Sequence, residues 1–295
     1  METSRRFLPS LASMLALEAV DRLGSATAAA DELSLTHSAV SRQLKVLEDQ
    51  MGVRLVQPGR GGLRLTPAAV DYCATVRESL TALARAGLKL KANPEGGSLD
   101  LSILPTFGIH WLAPRLRRFS LAHPEVSLNL STRLRPFDFA REPFDAAVHY
   151  GARDWPGVDY LKIADEEVLP VCAPGLLPDP LPGAQALLSL PLLHLDTRPT
   201  AWEDWFRHHG IAESAPRGML FDQFTTIAQA AALDMGVALL PTFLAEAEIA
   251  RGRLVVAHGG PVRSAGSYYL VWPEDRPMRA PLERFAEWIR SDLGG

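Results

Sequence analysis

The segment SLTHSAVSRQLKVLEDQMG, at positions 34–52, combines hydroxyl and cationic side chains with an aliphatic stripe. Val40, Leu44 and Leu47 recur at helical spacing, so this face is expected to pack against a core. The exposed face near the helix N-terminus carries Thr36, His37, Ser38, Ser41, Arg42 and Lys45. Hydroxyl and backbone N–H groups bind phosphates, and an arginine can donate two hydrogen bonds to a guanine edge. These residues predict a DNA-reading helix, with a merely solvated polar face as the competing interpretation.

The elements around this segment fit that prediction. The stretch SLASMLALEAVDRLG has a helical apolar stripe that ends at Gly24, and Ser25 or Thr27 can cap a short second helix. Three helices with a tight connection before the third predict a helix-turn-helix unit. The following stretch, VRLVQPGRGGLRLT, has two short alternating segments around PGRGG, which indicates a hairpin, or wing.

A long helix and a linker are predicted next. Pro67 stands at the first position of a segment of about two dozen residues that carries an apolar stripe, and Thr66 precedes it. This pattern predicts a long helix. Such a helix needs a partner for its apolar side, and dimerisation is the natural use. The Gly- and Pro-containing stretch NPEGGS indicates a linker. The predicted divisions are a winged helix-turn-helix at 1–65, a dimerisation helix at 66–92, a hinge linker at 93–98 and an effector-binding domain at 99–295.

Strand-like and helical segments alternate beyond the linker, as in LDLSIL, WLAPRLRRFSLAHP and VSLNLS. This alternation predicts an α/β unit with a largely parallel sheet. A second strand-helix-strand series later in the chain predicts two lobes with a cleft between them. Lobe I is expected at about 99–170 plus 267–295 and lobe II at about 171–266, with the chain crossing near 168–173 and returning near 266–271.

The charge distribution favours a polyanion at one end of the chain. The 295 residues have a formal net charge of −4. Lys and Arg nevertheless outnumber Asp and Glu by twelve to nine in residues 1–91, whereas acids outnumber bases by twenty-five to eighteen in residues 92–295. No opening stretch has the form of a secretion signal, and no segment is long and apolar enough to span a membrane. We therefore expect a cytoplasmic protein without membrane association.

The stretch SATAAADELSLTHSAVSRQLKVLEDQMGVRLVQPGRGGLRLTP resembles the N-terminal signature of LysR-type transcriptional regulators. Beyond the linker, LPTFGIHWLAPRLRRFSLAHPEVSLNLST, FDAAVHYG and AALDMGVALLP lie where this family has its effector domain. The pair TFGIHWLAPRL and GSYYLVW is most similar to the branch of glycine-cleavage and β-lactamase regulators. The resemblance implies a homodimer or homotetramer that binds an interrupted palindrome of double-stranded DNA near a promoter, where RNA polymerase is a further candidate partner. It also implies a small effector between two lobes like those of periplasmic binding proteins.

The resemblance assigns base- or phosphate-contacting positions to His37, Ser38, Ser41 and Arg42, and the wing to Arg60 or Arg64. One departure concerns the wing. Pro58 stands where the family usually has an arginine that approaches the minor groove, and Arg60 is the candidate substitute. This change affects the expected strength of DNA binding, because a phosphate-binding cation contributes mainly salt-dependent affinity.

The cleft residues are predicted from two sources. Thr106 and Phe107 begin a helix after the strand LDLSIL, where backbone N–H groups can bind an anion. Gln223 and Phe224 occupy the corresponding turn in the second lobe, next to Asp222, whose simplest role is to cap the helix. The resemblance adds three effector-bordering residues, Asp138, Tyr150 and Tyr268, and repeats Thr106. Thr197, after the strand LLHLD, is expected to join them from the second lobe. For the two tyrosines, interlobe packing is the alternative.

Three other functions remain open at this point. An α/β enzyme would use the same kind of cleft, but the sequence has no GxSxG motif, phosphate-binding loop or dinucleotide fingerprint. Cys73 and Cys172 could sense redox state, although neither has the spacing of a metal or disulfide site. A DNA-binding scaffold with an empty cleft is the third. No metal, cofactor or catalytic residue is predicted.

Overall fold

The computed structural model describes residues 8–59, 62–93, 97–177, 183–212 and 216–293. The chain divides into two compact units, Met1–Gly96 and Gly97–Gly295. The predicted linker at 93–98 is too long at its C-terminal end, because Ser98 already pairs with Ser127 in a sheet. Across the described ranges, no helix has both the length and the apolarity needed to cross a membrane.

The first unit consists of three short helices, a hairpin and a long helix. Their bounds are α1 Leu11–Leu23, α2 Ala26–Glu32, α3 His37–Met51, β1 Val56–Gly59, β2 Gly62–Leu65 and α4 Val70–Ala92. Strands β1 and β2 pair antiparallel, and a 3₁₀ turn precedes α4. The predicted helix-turn-helix, wing and long helix are all present in this order.

Local chemistry sets the ends of these helices. The side chains of Ser10, Ser25 and Thr36 each accept a hydrogen bond from the backbone N–H three residues later. This satisfies a donor that the first helical turn leaves without a partner. Gly24 and Gly52 follow α1 and α3 in the left-handed conformation, where glycine avoids the steric cost of a Cβ.

The aliphatic stripe of α3 packs as predicted. Val40, Leu44 and Leu47 are buried in one cluster with apolar residues of α1 and α2. Glu48 connects α3 to the wing, because its Oε1 accepts hydrogen bonds from the backbone N–H groups of Leu55 and Val56 at 2.7 and 3.2 Å. The position of the wing relative to α3 is therefore fixed by a carboxylate as well as by apolar packing.

The second unit is built on one curled sheet with the strand order β4-β3-β5-β11-β6-β9-β7-β8, and β10 also pairs with β6. Its strands are β3 Ser98–Ile103, β4 Ser127–Thr132, β5 Ala146–Gly151, β6 Val158–Cys172, β7 Leu192–Leu195, β8 Leu220–Phe221, β9 Val237–Pro241, β10 Val255–Val256 and β11 Val262–Pro273. Its helices are α5 Pro105–Phe107, a π-helical turn Gly108–Leu112, α6 Ala113–Ala122, α7 Ala201–His208, α8 Phe224–Ala232, α9 Thr242–Ala250 and α10 Ala280–Leu293. A 3₁₀ helix, Ala184–Ser189, precedes β7.

The prediction of a largely parallel sheet was wrong at the centre of this unit. Strand β3 is parallel to β4 and β5, and β7 is parallel to β8 and β9, as strand-helix-strand connections require. Strands β6 and β11 are antiparallel to each other, because the chain crosses between the lobes along β6 and returns along β11. These two long strands contribute to the cores on both sides of the cleft.

Each lobe has its own hydrophobic core. Leu99, Phe119 and Phe285 belong to a cluster that includes α10 and the C-terminal part of β11. A separate cluster joins β7, α8 and β9 around Leu193 and Ala231. Because the two clusters are distinct, the polar residues between them can line a cavity rather than a continuous core.

Candidate functional site

Helix α3 presents a polar face at the surface of the first unit. The exposed residues on it are Thr36, His37, Ser38, Ser41, Arg42 and Lys45. Thr36 has a structural role as well, since its Oγ1 accepts the backbone N–H of Ala39 and lies 3.0 Å from Ser38 Oγ. In the part of the chain that the structure describes, neither Arg42 nor Lys45 forms an ion pair. Their charges are therefore available to an anionic partner.

The wing adds a further exposed cation. Arg64 lies on β2 opposite Gln57, and its aliphatic stem lies beside Gly59. Arg60 falls outside the described residues. Pro58 is exposed on β1 and pairs in register with Leu63. Among the described residues of the two wing strands, Arg64 is thus the exposed cation.

A cavity of about 350 Å³ lies between the lobes of the second unit. Seven of the eight predicted cleft residues line it: Thr106, Phe107, Tyr150, Thr197, Gln223, Phe224 and Tyr268. They come from the start of α5, the ends of β5 and β7, the turn before α8, and β11. Thr106 is only 6% exposed, and Phe107 stacks between Trp111 and Tyr268.

The prediction that Asp138 borders this cavity was wrong. Asp138 is exposed, its Oδ1 accepts the backbone N–H of Ala140, and its other oxygen lies 3.4 Å from Arg141 Nε. The preceding residues Pro136 and Phe137 do line the cavity, so the chain turns away from it at Asp138. The expected capping role of Asp222 is not observed either: Gln223 is the N-cap of α8, without a side-chain hydrogen bond to the helix.

Two residues without a sequence prediction contact the cavity-lining residues Tyr268 and Tyr150. Glu166, on β6, is 1% exposed, and its Oε1 accepts a hydrogen bond from the Tyr268 hydroxyl at 2.5 Å. Arg198, just after β7, lies with Nε 3.6 Å from Glu166 Oε2 and with its guanidinium over the Tyr150 ring. We call these four residues, Tyr150, Glu166, Arg198 and Tyr268, the partition.

The partition is desolvated, which affects the two phenols. Burial raises the pKa of Tyr150 to about 12, with a further contribution from the nearby Glu166 charge. Burial and Glu166 also hold the pKa of Tyr268 well above its ordinary range. Both phenols therefore stay protonated at neutral pH and act as hydrogen-bond donors. The sequence signal for Arg198 is its place directly after Asp196 and Thr197 at a strand end, where ligand-binding side chains commonly lie.

Charged side chains of both signs surround the cavity mouth. Arg133 Nη2 lies 2.8 Å from Glu142 Oε2, and Arg135 Nη2 lies 3.0 Å from Asp196 Oδ2. The second oxygen of Asp196 is buried and has no hydrogen-bond partner among the described residues. The mouth therefore offers both cationic and anionic groups to a polar ligand.

Both cysteines are buried. Cys73 and Cys172 are free thiols, and burial raises the pKa of each to about 11. A high pKa keeps the thiol protonated and unreactive at neutral pH. Within the described ranges, no group of three or more His, Cys, Asp and Glu residues is placed to hold a metal ion.

Comparisons with known proteins agree with this architecture. Residues 11–70 match the family model of the bacterial regulatory helix-turn-helix protein of the lysR family, and residues 92–294 match the LysR substrate binding domain. The glycine cleavage system transcriptional activator of Escherichia coli K12 is 35% identical over 285 residues, which cover 96% of this chain and 93% of the relative. The transcriptional activator AmpR of Rhodobacter capsulatus is 34% identical and covers 95% of this chain and 96% of its own.

Solved structures show the same fold. The effector binding domain of AmpR from Citrobacter freundii is 27% identical, with a TM-score of 0.61 over 68% of this chain and 99% of that chain. Full-length CbnR in complex with its target DNA is 20% identical, with a TM-score of 0.70 over 95% of this chain and 98% of that chain. This second likeness concerns the fold alone.

A winged helix-turn-helix followed by a two-lobed α/β domain with an interlobe cavity defines a DNA-binding regulator that senses small molecules. The chain belongs to the LysR family of bacterial transcriptional regulators.

Proposed function

We propose that this regulator reads promoter DNA with the exposed face of α3 and responds to a small molecule in the cavity between its lobes. The observation that carries the proposal is the convergence of seven predicted side chains, drawn from both lobes, on one cavity. A ligand that contacts both lobes binds their closed arrangement more tightly and shifts the population towards it. No chemical step on the ligand is required.

The DNA-binding roles follow from side-chain chemistry. Arg42 is the candidate for a bidentate base contact, because it is exposed and forms no ion pair in the described part of the chain. His37, Ser38 and Ser41 lie on the same face and are suited to phosphates or base edges. Lys45, Arg64 and Arg60 supply positive charge to the DNA backbone.

Helix α4 is the proposed dimerisation element. Leu83, Leu88 and Leu90 are each 60% exposed or more, a costly arrangement for a lone helix in water. A homodimer, or a homotetramer built from two dimers, presents paired recognition helices to an interrupted palindrome. We propose RNA polymerase as a further partner of the DNA-bound form and the cytoplasm as the compartment, because the target is promoter DNA.

The functional division proposed for the chain is a DNA-binding domain at 1–65, a dimerisation helix at 66–92 and an effector domain from about 99. Within the effector domain, lobe I comprises about 99–170 plus 267–295, and lobe II about 171–266. The hinge is proposed to begin at about 93 and to lead into Ser98, the first residue of β3.

The effector proposed for the interlobe cavity is an amino acid, an organic acid or a cell-wall fragment. Both signs of charge border the cavity, and Thr106 at the start of α5 supplies a hydroxyl group. A ligand with a carboxylate and other polar groups satisfies this arrangement better than an apolar one does.

The test is a titration of the purified full chain into labelled DNA from the region upstream of its own gene, with a scrambled duplex as control. Saturable binding that prefers the upstream DNA at several salt concentrations supports the proposal and supplies an assay for effectors. Equal, salt-labile binding to both duplexes contradicts sequence-specific reading of that region. No binding even at low salt contradicts the assignment of α3 to DNA.

A further inference from the structure

A second cavity lies behind the partition and is larger than the first. Its volume is about 520 Å³, within the range of small-molecule sites. It is bounded by β6 and β11, by the residues from Arg198 into α7, and by α8. None of the residues proposed above for the effector belongs to its deep wall, although Tyr150, Thr197 and Phe224 line both cavities.

The deep wall of this second cavity is apolar. The apolar lining includes Trp202, Trp205, Ile227, Leu239 and Val262, and all five are buried. A wall with two indole rings and three branched aliphatic side chains is complementary to an aromatic or branched hydrocarbon group. Burial of such a group supplies binding free energy in proportion to its apolar area.

The polar lining has an excess of positive charge. Arg198, Arg207 and Arg263 line the cavity, against two acids, Glu166 and Asp204. Arg207 is paired with Asp204, and Arg263 Nη2 lies 2.7 Å from Asp165 Oδ2. The arginines of these pairs are 64% and 65% exposed and the acids 40% and 33%, so each ion pair is weak.

Arg198 is the cation at the inner end of the cavity. Its side chain is 14% exposed, and its Nη1 donates to the carbonyl and hydroxyl oxygens of Thr197. Its Nε is buried without a hydrogen-bond partner among the described residues, and the 3.6 Å separation from Glu166 is too long for a hydrogen bond. A guanidinium has five N–H donors, so much of the capacity of Arg198 is unused.

We propose that this second cavity binds an apolar monocarboxylate, with its aromatic or branched group against the tryptophan wall and its carboxylate on Arg198. Glu166 balances the charge of Arg198 in the empty state, and Arg207 and Arg263 favour an anion over a cation. The site goes beyond the proposed function, because it is distinct from the cavity around Thr106. It makes the chain responsive to two ligands, bound in two cavities that are both lined by Arg198.

The experiment is isothermal titration calorimetry of the full chain with three matched probes, 3-phenylpropionate, 3-phenylpropionamide and phenethylamine. We expect the carboxylate to bind at least about tenfold more tightly than the amide, because a hydrogen bond to a charged group is lost in the amide. The amine should bind most weakly. Equal affinity for the carboxylate and the amide, or no binding of the carboxylate, would overturn the proposal.

Variants locate the site. Ala201→Leu adds bulk to the lining of the second cavity and should abolish binding of 3-phenylpropionate, while circular dichroism shows an unchanged fold. Arg198→Lys keeps the charge but loses the planar fork, so the preference for the carboxylate over the amide should fall. Thr106→Val, in the first cavity, is the control and should leave the titration unchanged.

Unchanged binding in Ala201→Leu, or its loss in Thr106→Val, would place the ligand elsewhere. Because no DNA is present, failure here is distinct from failure of the promoter titration.

Discussion

The guanidinium carbon of Arg198 lies 3.1 Å from the centroid of the Tyr150 ring. Tyr150 is the second-last residue of β5, whereas Arg198 follows β7, so the stack directly joins two separate parts of the sheet. Gly266 lies behind the ring, where a Cβ would come within 2.5 Å of Tyr150 Cζ. The absence of a side chain at position 266 therefore allows the tyrosine to reach the arginine.

The first prediction concerns the buried ion pair in the partition. Arg198→Met should lower the free energy of unfolding of the effector domain by about 3 kcal/mol, because it leaves the Glu166 carboxylate without its countercharge. Adding Glu166→Gln to that variant should recover a large part of the loss, since no uncompensated charge remains. Urea denaturation of the parent chain, the two single variants and the double variant measures the coupling free energy between the two charges. Additive losses would show that the two charges do not interact.

The second prediction separates base reading from phosphate binding on α3. Arg42→Ala should weaken binding to the specific duplex by about 1–3 kcal/mol and binding to the scrambled duplex by less. Lys45→Ala should weaken binding to both duplexes equally. The salt dependence of the affinity should fall by the amount expected for about one phosphate contact. Fluorescence anisotropy at several salt concentrations measures both effects.

Arg117→Ala is the matched control for these variants and should leave DNA affinity unchanged, because it removes an exposed cation of α6, outside α3 and the proposed dimerisation helix. Equal losses on the two duplexes for Arg42→Ala would show that this arginine contacts phosphate only.

The sequence predicts features set by neighbouring residues better than contacts between residues that are far apart in the chain. The stripe of Val40, Leu44 and Leu47 follows from helical period alone, and it is buried as expected. The contact of Arg198 with Glu166 depends on how β6 and β7 come together through β9, which no local pattern encodes. The irregular register between β6 and β11, which places Tyr268 on Glu166, is equally non-local. The position of Asp138 was not predicted because the chain enters a turn there, in which the Asp138 carbonyl accepts the backbone N–H groups of Arg141 and Glu142.

The third prediction tests the first cavity. Thr106→Val replaces a hydroxyl with a methyl group of similar size, so it should blunt the effector response while leaving DNA affinity unchanged. Asp138→Asn should preserve both properties, since Asp138 is exposed outside the cavity wall. DNA titrations of the two variants, with and without an effector that the promoter assay has identified, measure the DNA affinity and the effector response. Full response in Thr106→Val would remove this residue from the site.

The fourth prediction concerns redox sensing. Burial raises the pKa of Cys172 to about 11, so the reactive thiolate is scarce at neutral pH and becomes populated only as the pH approaches that value. Brief peroxide treatment at pH 7 should therefore leave DNA affinity unchanged, both in the parent chain and in Cys172→Ser. A loss of affinity in the parent that Cys172→Ser prevents would establish a redox sensor instead.

The last prediction concerns the wing. Gly62 begins β2 at φ +153°, and a Cβ on it would lie 2.0 Å from the carbonyl oxygen of Gly24, the residue that caps α1. The backbone N–H of Leu63 donates to that same oxygen at 2.9 Å, so the wing is held against the end of α1 by this close approach.

Gly62→Ala must push the strand away from α1, and it should reduce DNA affinity because Arg64 moves with the strand. Gly260→Ala, where a Cβ meets nothing within 4 Å, is the control and should leave DNA affinity unchanged. If Gly62→Ala binds the specific duplex as tightly as the parent chain does, the wing does not contribute to binding through Arg64.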